Sequence, residues 1–105
     1  MSPSTSMPEI NASEVVGTGF PTDEGKKLAE QILADHNNLD GLTVDVSKCA
    51  DTLLISAFFN AFLQYVSDQA KEKLEAARNI TWVALFPFQN ENIQTWMSDF
   101  QPHTD

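Results

Sequence analysis

Residues 42–66, Leu-Thr-Val-Asp-Val-Ser-Lys-Cys-Ala-Asp-Thr-Leu-Leu-Ile-Ser-Ala-Phe-Phe-Asn-Ala-Phe-Leu-Gln-Tyr-Val, contain the change of period that decides the fold class. From Leu42 to Ser47 the side chains alternate: Leu42, Val44 and Val46 face one way, Thr43, Asp45 and Ser47 the other, as a strand requires. A loop follows, and from Ser56 the spacing becomes helical. Ile55, Phe58, Phe59, Phe62 and Val66 form one stripe, and Ala61, Leu63 and Tyr65 widen it, so this helix is expected to be buried over most of its circumference. A strand's carboxyl end meeting a helix start is where α/β folds place their working surface. The helix start also offers partial positive charge and unpaired amides.

The flanking sequence extends the same alternation of elements. Downstream, Ile80–Phe86 is apolar on both alternations and predicts a central strand covered on both faces, ended by Pro87. A last helix is expected from about Asn90, with Ile93, Trp96, Met97 and Phe100 at buried spacing. Between the two, Asp68–Arg78 either prolongs the second helix or forms a short one of its own. Upstream, Gly17-Thr18-Gly19-Phe20-Pro21-Thr22 is a turn, with Thr22 as the expected cap of a helix reaching about Asn37. Residues 9–16 hold room for one short strand. The expected fold class is α/β, a single domain with a small mixed sheet and three to four helices in (β)αβαβα order. It spans residues 9–101, between a Ser- and Pro-rich disordered lead-in (1–8) and a frayed end (102–105).

Bulk composition narrows the function. At 105 residues there is room for one core. The densest apolar run, 53–66, is broken by Ser56, Asn60 and Gln64 and is shorter than the ~20 residues of a membrane-spanning helix. The amino terminus has neither the basic start nor the apolar block of a secretory signal. With Cys49 as the single cysteine, a cytoplasmic protein is expected. The net charge of −9, from 15 acidic and 6 basic residues, opposes direct binding of a phosphate backbone and favours partners with basic patches. An acidic phage- or defence-associated inhibitor that blocks a basic nucleic-acid-binding site is the alternative expectation.

Few residues carry chemistry. Gly17-Thr18-Gly19 lacks the third glycine and the Lys-Ser or Lys-Thr pair of a phosphate-binding loop, and reads as a turn. Cys49 reads as a reduced thiol, and His36 and His103 lack metal-ligand spacing, so neither metal nor cofactor is expected. No base, nucleophile and pocket can be named around Asp45 and Asp51, and the expectation is a non-enzymatic protein. Asp45 itself is expected to accept amides of the following loop. Phe58, Phe59, Phe62, Trp82, Phe86, Phe88, Trp96 and Phe100 are assigned mainly to the core. Because the second helix looks too apolar for one sheet to cover, some of Phe59, Leu63, Tyr65 and Val66 are expected to line a homodimer or partner interface.

The strand Val44-Asp45-Val46-Ser47, the loop and Ile55-Ser56-Ala57-Phe58-Phe59-Asn60-Ala61-Phe62-Leu63, preceded by the Gly17–Thr22 turn, together resemble the STAS-like family. These are small bacterial and phage-encoded domains related to anti-sigma-factor antagonists, and the resemblance covers roughly residues 9–101. It implies regulation through protein–protein binding, often to an ATP-binding kinase-like partner. In the antagonists a serine at the start of the helix after the central strand is phosphorylated, which breaks the complex. By position Ser56 corresponds, with Thr52 as a second candidate; the antagonists' Asp-Ser-Ser-Gly type motif is missing, and Asp51-Thr52 lies earlier in the loop. The partner-binding residues expected from loop and helix are Ser47, Asp51, Thr52, Ser56, Phe59 and Leu63.

Overall fold

The computed structural model describes residues 9–102. The lead-in expected over 1–8, and residues 103–105 of the expected frayed end with His103, lie outside the described residues. The elements are β1 (Glu9–Asn11), α1 (Pro21–Asp35), β2 (Thr43–Asp45), α2 (Ser56–Gln69), α3 (Leu74–Arg78), β3 (Thr81–Val83) and α4 (Pro87–Asp99), joined in part by 3-10 turns at Ala12–Glu14, Asp51–Leu53 and Lys71–Lys73. This is the expected α/β class and element order.

The sheet departs from expectation. It is wholly parallel among the described residues, not mixed, and its strands lie in chain order β1-β2-β3. Both crossovers therefore run in one direction, and the right-handed rule for parallel connections puts α1 and α2 on the same face. Ile10, Val44 and Trp82 stand in register on that face. On the other stand two rows, Glu9–Thr43–Thr81 and Asn11–Asp45–Val83. Burial follows this division: Val44 and Trp82 are buried, Thr43 and Asp45 half-buried, Thr81 and Val83 exposed. The prediction for Ile80–Phe86 is thus corrected: β3 is an edge strand, covered on one face. A run apolar on both alternations does not distinguish a strand covered by helices from one left with an apolar flank in solvent.

The core lies between the sheet and α2. Phe58, Phe59, Phe62, Leu63 and Val66 are fully buried. The Phe59 ring meets Trp82 edge-on at 5.0 Å and stacks on Trp96 of α4 at 5.7 Å, while Phe62 meets Trp82 edge-on at 5.3 Å. The expected interface role of Phe59, Leu63 and Val66 is therefore overturned, and Tyr65 is only half-buried. The reason is geometric: α1, the sheet and α4 enclose α2 on three sides, so its wide apolar stripe is consumed inside the monomer. The approach of α1 is close enough to need glycine. A Cβ on Gly25 would lie 2.2 Å from the Phe58 carbonyl oxygen.

Two further boundaries are fixed by the structure, one within the expected alternatives and one earlier than expected. The charged stretch after α2 forms a separate short helix, α3, and its last residue holds α4 in place. Arg78 Nη1 donates to the carbonyls of Met97 (2.9 Å) and Ser98 (3.2 Å), and Nη2 to that of Phe100 (2.8 Å). A guanidinium on the unpaired carbonyls of a helix end is favoured by both hydrogen bonding and the helix dipole. At its other end α4 starts at Pro87, earlier than expected, because proline's fixed φ and missing amide suit the first helical position. Among the described residues, no helix is long and apolar enough to cross a membrane.

Candidate functional site

All three strands point their carboxyl ends to one side, and α1, α2 and α4 begin there. The capping residues of these long helices break a strong local preference. Ser, Thr, Asp and Asn normally occupy that position, because a side-chain oxygen satisfies a free first-turn amide. Here the positions are taken by Phe20, Ile55 and Phe86, each with extended backbone and without a side-chain cap. Thr22, the expected cap of α1, is its second residue. Ser56 is the first residue of α2, exposed, and one position past the cap.

These apolar caps are in solvent. Among the described residues the exposed large hydrophobics are Phe20, Ile55, Val83, Leu85, Phe86 and Phe88, and each lies at the end of β3 or at a helix start on this side. Phe20 is 76%, Leu85 62% and Phe88 56% exposed. Phe86 and Phe88 stack with ring centroids 5.7 Å apart. The assignment of Phe86 and Phe88 to the core is corrected: they open α4 before its buried stripe begins at Ile93. The sequence held a signal for this, the dipeptide Phe-Pro at 20–21 and again at 86–87, each placing an aromatic ring just outside a helix.

The loops beneath are held by their own polar groups. Asp45 Oδ1 accepts from the Ser47 amide (2.8 Å) and hydroxyl (2.6 Å), the role expected for it. One strand over, Asn11 Oδ1 accepts from the Ser13 amide (3.1 Å) and hydroxyl (2.7 Å), a matching turn at the same register. The Ser47 hydroxyl and amide hold the Asp45 carboxyl below its ordinary range. Burial, then the Asp45 charge, push the Cys49 thiol up, so it stays protonated. Asp51 and Thr52 are exposed, and Gln89 Nε2 of α4 donates to Asp51 Oδ1 at 3.2 Å, joining the loop after β2 to the start of α4.

Glu24, in the first turn of α1, organises the remaining loop. Its buried carboxylate accepts from the amides of Gly17 (2.7 Å) and Gly19 (3.1 Å) and pairs with Lys27 at 3.0 Å. The glycine turn does cradle an anion, but that anion is the chain's own. The Gly17 amide first, and Lys27 next, hold the Glu24 carboxyl below its ordinary range against burial. The turn so fixed carries Phe20 outward.

Of the residues expected to bind a partner, Asp51, Thr52 and Ser56 come together at this end of the sheet and are exposed, Ser47 is half-buried beside them, and Phe59 and Leu63 are in the core. Ligands of open α/β sheets bind in the crevice where strand order reverses. The order β1-β2-β3 has no reversal, so the carboxyl ends form a continuous surface. A groove of about 530 Å³ runs from Thr22 and Ala57, in the first turns of α1 and α2, along Asn60 and Ala61 of α2, bordered by Trp96 and Phe100. Compared with known proteins, the chain matches no family model, no curated protein and no solved structure.

Proposed function

We infer that this protein is a non-enzymatic regulatory module that binds another polypeptide through the carboxyl end of its sheet. The observation that carries this reading is the set of exposed apolar residues at three helix starts, where capping residues would stabilise the monomer by about 1 kcal/mol each. Local rules are broken in this way mainly at functional sites. A continuous surface with an aromatic pair suits a polypeptide better than a small molecule, because hot spots of protein interfaces are aromatic-rich. The resemblance to STAS-like domains gives the same end of the sheet a regulatory role, with an ATP-binding kinase-like protein as the partner class. A reducing, cytoplasmic setting belongs to the same reading, since Cys49 is unaccompanied by another cysteine.

Ser56 is the site for control. A phosphate there would add about −1.5 to −2 charges beside Ile55 at the start of α2. The helix amino end would tolerate that charge, and a docked apolar partner would not. The test is affinity capture with the full chain as bait, comparing wild type with Leu85→Ser/Phe86→Ser and with Ser56→Asp. A partner retained by wild type should be lost by the double variant and weakened by Ser56→Asp, with unchanged thermal unfolding. Equal capture by wild type and the double variant would remove this surface from consideration.

A further inference from the structure

We propose that the polypeptide docking here presents apolar side chains bordered by lysine or arginine; this rests on the binding surface inferred above. The chain is acidic at both ends of the sheet. Three of its six basic residues, Lys71, Lys73 and Arg78, sit before β3, at the sheet's amino end. The carboxyl-end loops and the first turns of the helices carry Glu14, Asp23, Asp45, Asp51 and Glu91 against Lys26 and Lys48, while Lys27 is engaged by Glu24. Three helix amino ends offset this by about half a charge each, which leaves the surface negative. Asp51 is fixed beside the exposed aromatic pair through Gln89, so a full negative charge borders the apolar centre.

A second copy of the chain fits this surface poorly, since facing like surfaces would oppose acidic rims. Rim charges of opposite sign would instead select the partner and speed its arrival, while the apolar centre supplies the contact.

The experiment uses the full chain and two labelled helical peptides with the same leucine face, one carrying lysines and the other glutamates on the opposite face. Fluorescence anisotropy should give binding of the lysine peptide that is about tenfold or more tighter than that of the glutamate peptide, a preference that salt reduces. Phe86→Ser/Phe88→Ser should weaken lysine-peptide binding, and Asp23→Lys/Asp51→Lys should erase the preference. Equal binding of both peptides, each sensitive to the phenylalanine changes, overturns the charge selection and leaves the apolar surface standing. Lysine-peptide binding indifferent to the phenylalanine changes, or no binding at all, overturns the proposal. Sedimentation showing self-association that Phe86→Ser/Phe88→Ser abolishes assigns the surface to a second copy and also overturns it.

Discussion

Seven phenylalanines divide into two groups with opposite surroundings. Phe58, Phe59, Phe62 and Phe100 are buried, and Phe59 touches both tryptophans. Phe20, Phe86 and Phe88 stand at helix starts with large parts of their rings in water. The same residue type thus does two jobs. The buried group replaces water by close-packed neighbours and stabilises the monomer by about 1.5–3 kcal/mol per ring. The exposed group gains little of that on folding and gives up capping bonds as well. What distinguishes the groups is position in the helix: one lies along the inner stripe or at a helix's far end, the other stands just before or within a first turn.

Substitutions test that division in order of expected effect. Phe59→Ala should cost about 3–5 kcal/mol in urea unfolding, because it leaves a cavity between Trp82 and Trp96; a loss under about 1 kcal/mol would contradict the close packing described. Gly25→Ala should cost about 1–3 kcal/mol despite alanine's better helix propensity, since a backbone carbonyl cannot swing aside as a side chain does. Gly25→Ala that raises the thermal midpoint would show that α1 and α2 are further apart.

Glu24→Gln should cost about 1–3 kcal/mol at neutral pH by leaving the Gly17 and Gly19 amides and Lys27 with a weaker acceptor. Its pH dependence has a defined sign. The folded carboxyl lies below its ordinary value of 4.5, so its stabilisation is present above 4.5 and is lost as pH falls through the lower folded value. Asp45, held below 3.8, acts in the same direction. Wild type should therefore lose stability on acidification below 4.5, and Glu24→Gln should lose less over that interval. Parallel acid curves for the two proteins would exclude Glu24 as a source. Smallest of all, Phe86→Ser/Phe88→Ser should change stability by no more than about 0.5 kcal/mol, and calorimetry that finds a loss of several kcal/mol would move these rings into the core.

Most of the fold was legible in the chain, because periodicity reports burial directly. The alternation over Leu42–Ser47 appears as read, and so does the stripe on α2 apart from Ile55, which stands at the cap position and is 42% exposed. The face of Asp45 and its acceptor role were legible for the same reason. What periodicity does not encode is which neighbours supply the burial. The apolar breadth of α2 comes from α1 and α4 on its flanks, and so Phe59 and Leu63 left the candidate site. The apolar breadth of β3 comes from residues left exposed, and so Val83 and Leu85 joined it. The loop-holding role of Glu24 was hidden because the Gly17 and Gly19 amides it accepts from have no sequence signature. The paired Phe-Pro steps were visible but lacked meaning until each helix start was located.

The three bonds from Arg78 to the carboxyl end of α4 close residues 78–100 into a ring that shuts without a covalent link. A helix held only by its apolar stripe opens locally before the rest of a domain does. Here the last turn cannot lift without stranding a guanidinium. Amide exchange at Met97 and Phe100 should then proceed at the rate of whole-molecule opening, whereas in Arg78→Ala those amides should exchange through local fraying. The helix α4 is thereby built into the last structure to come apart.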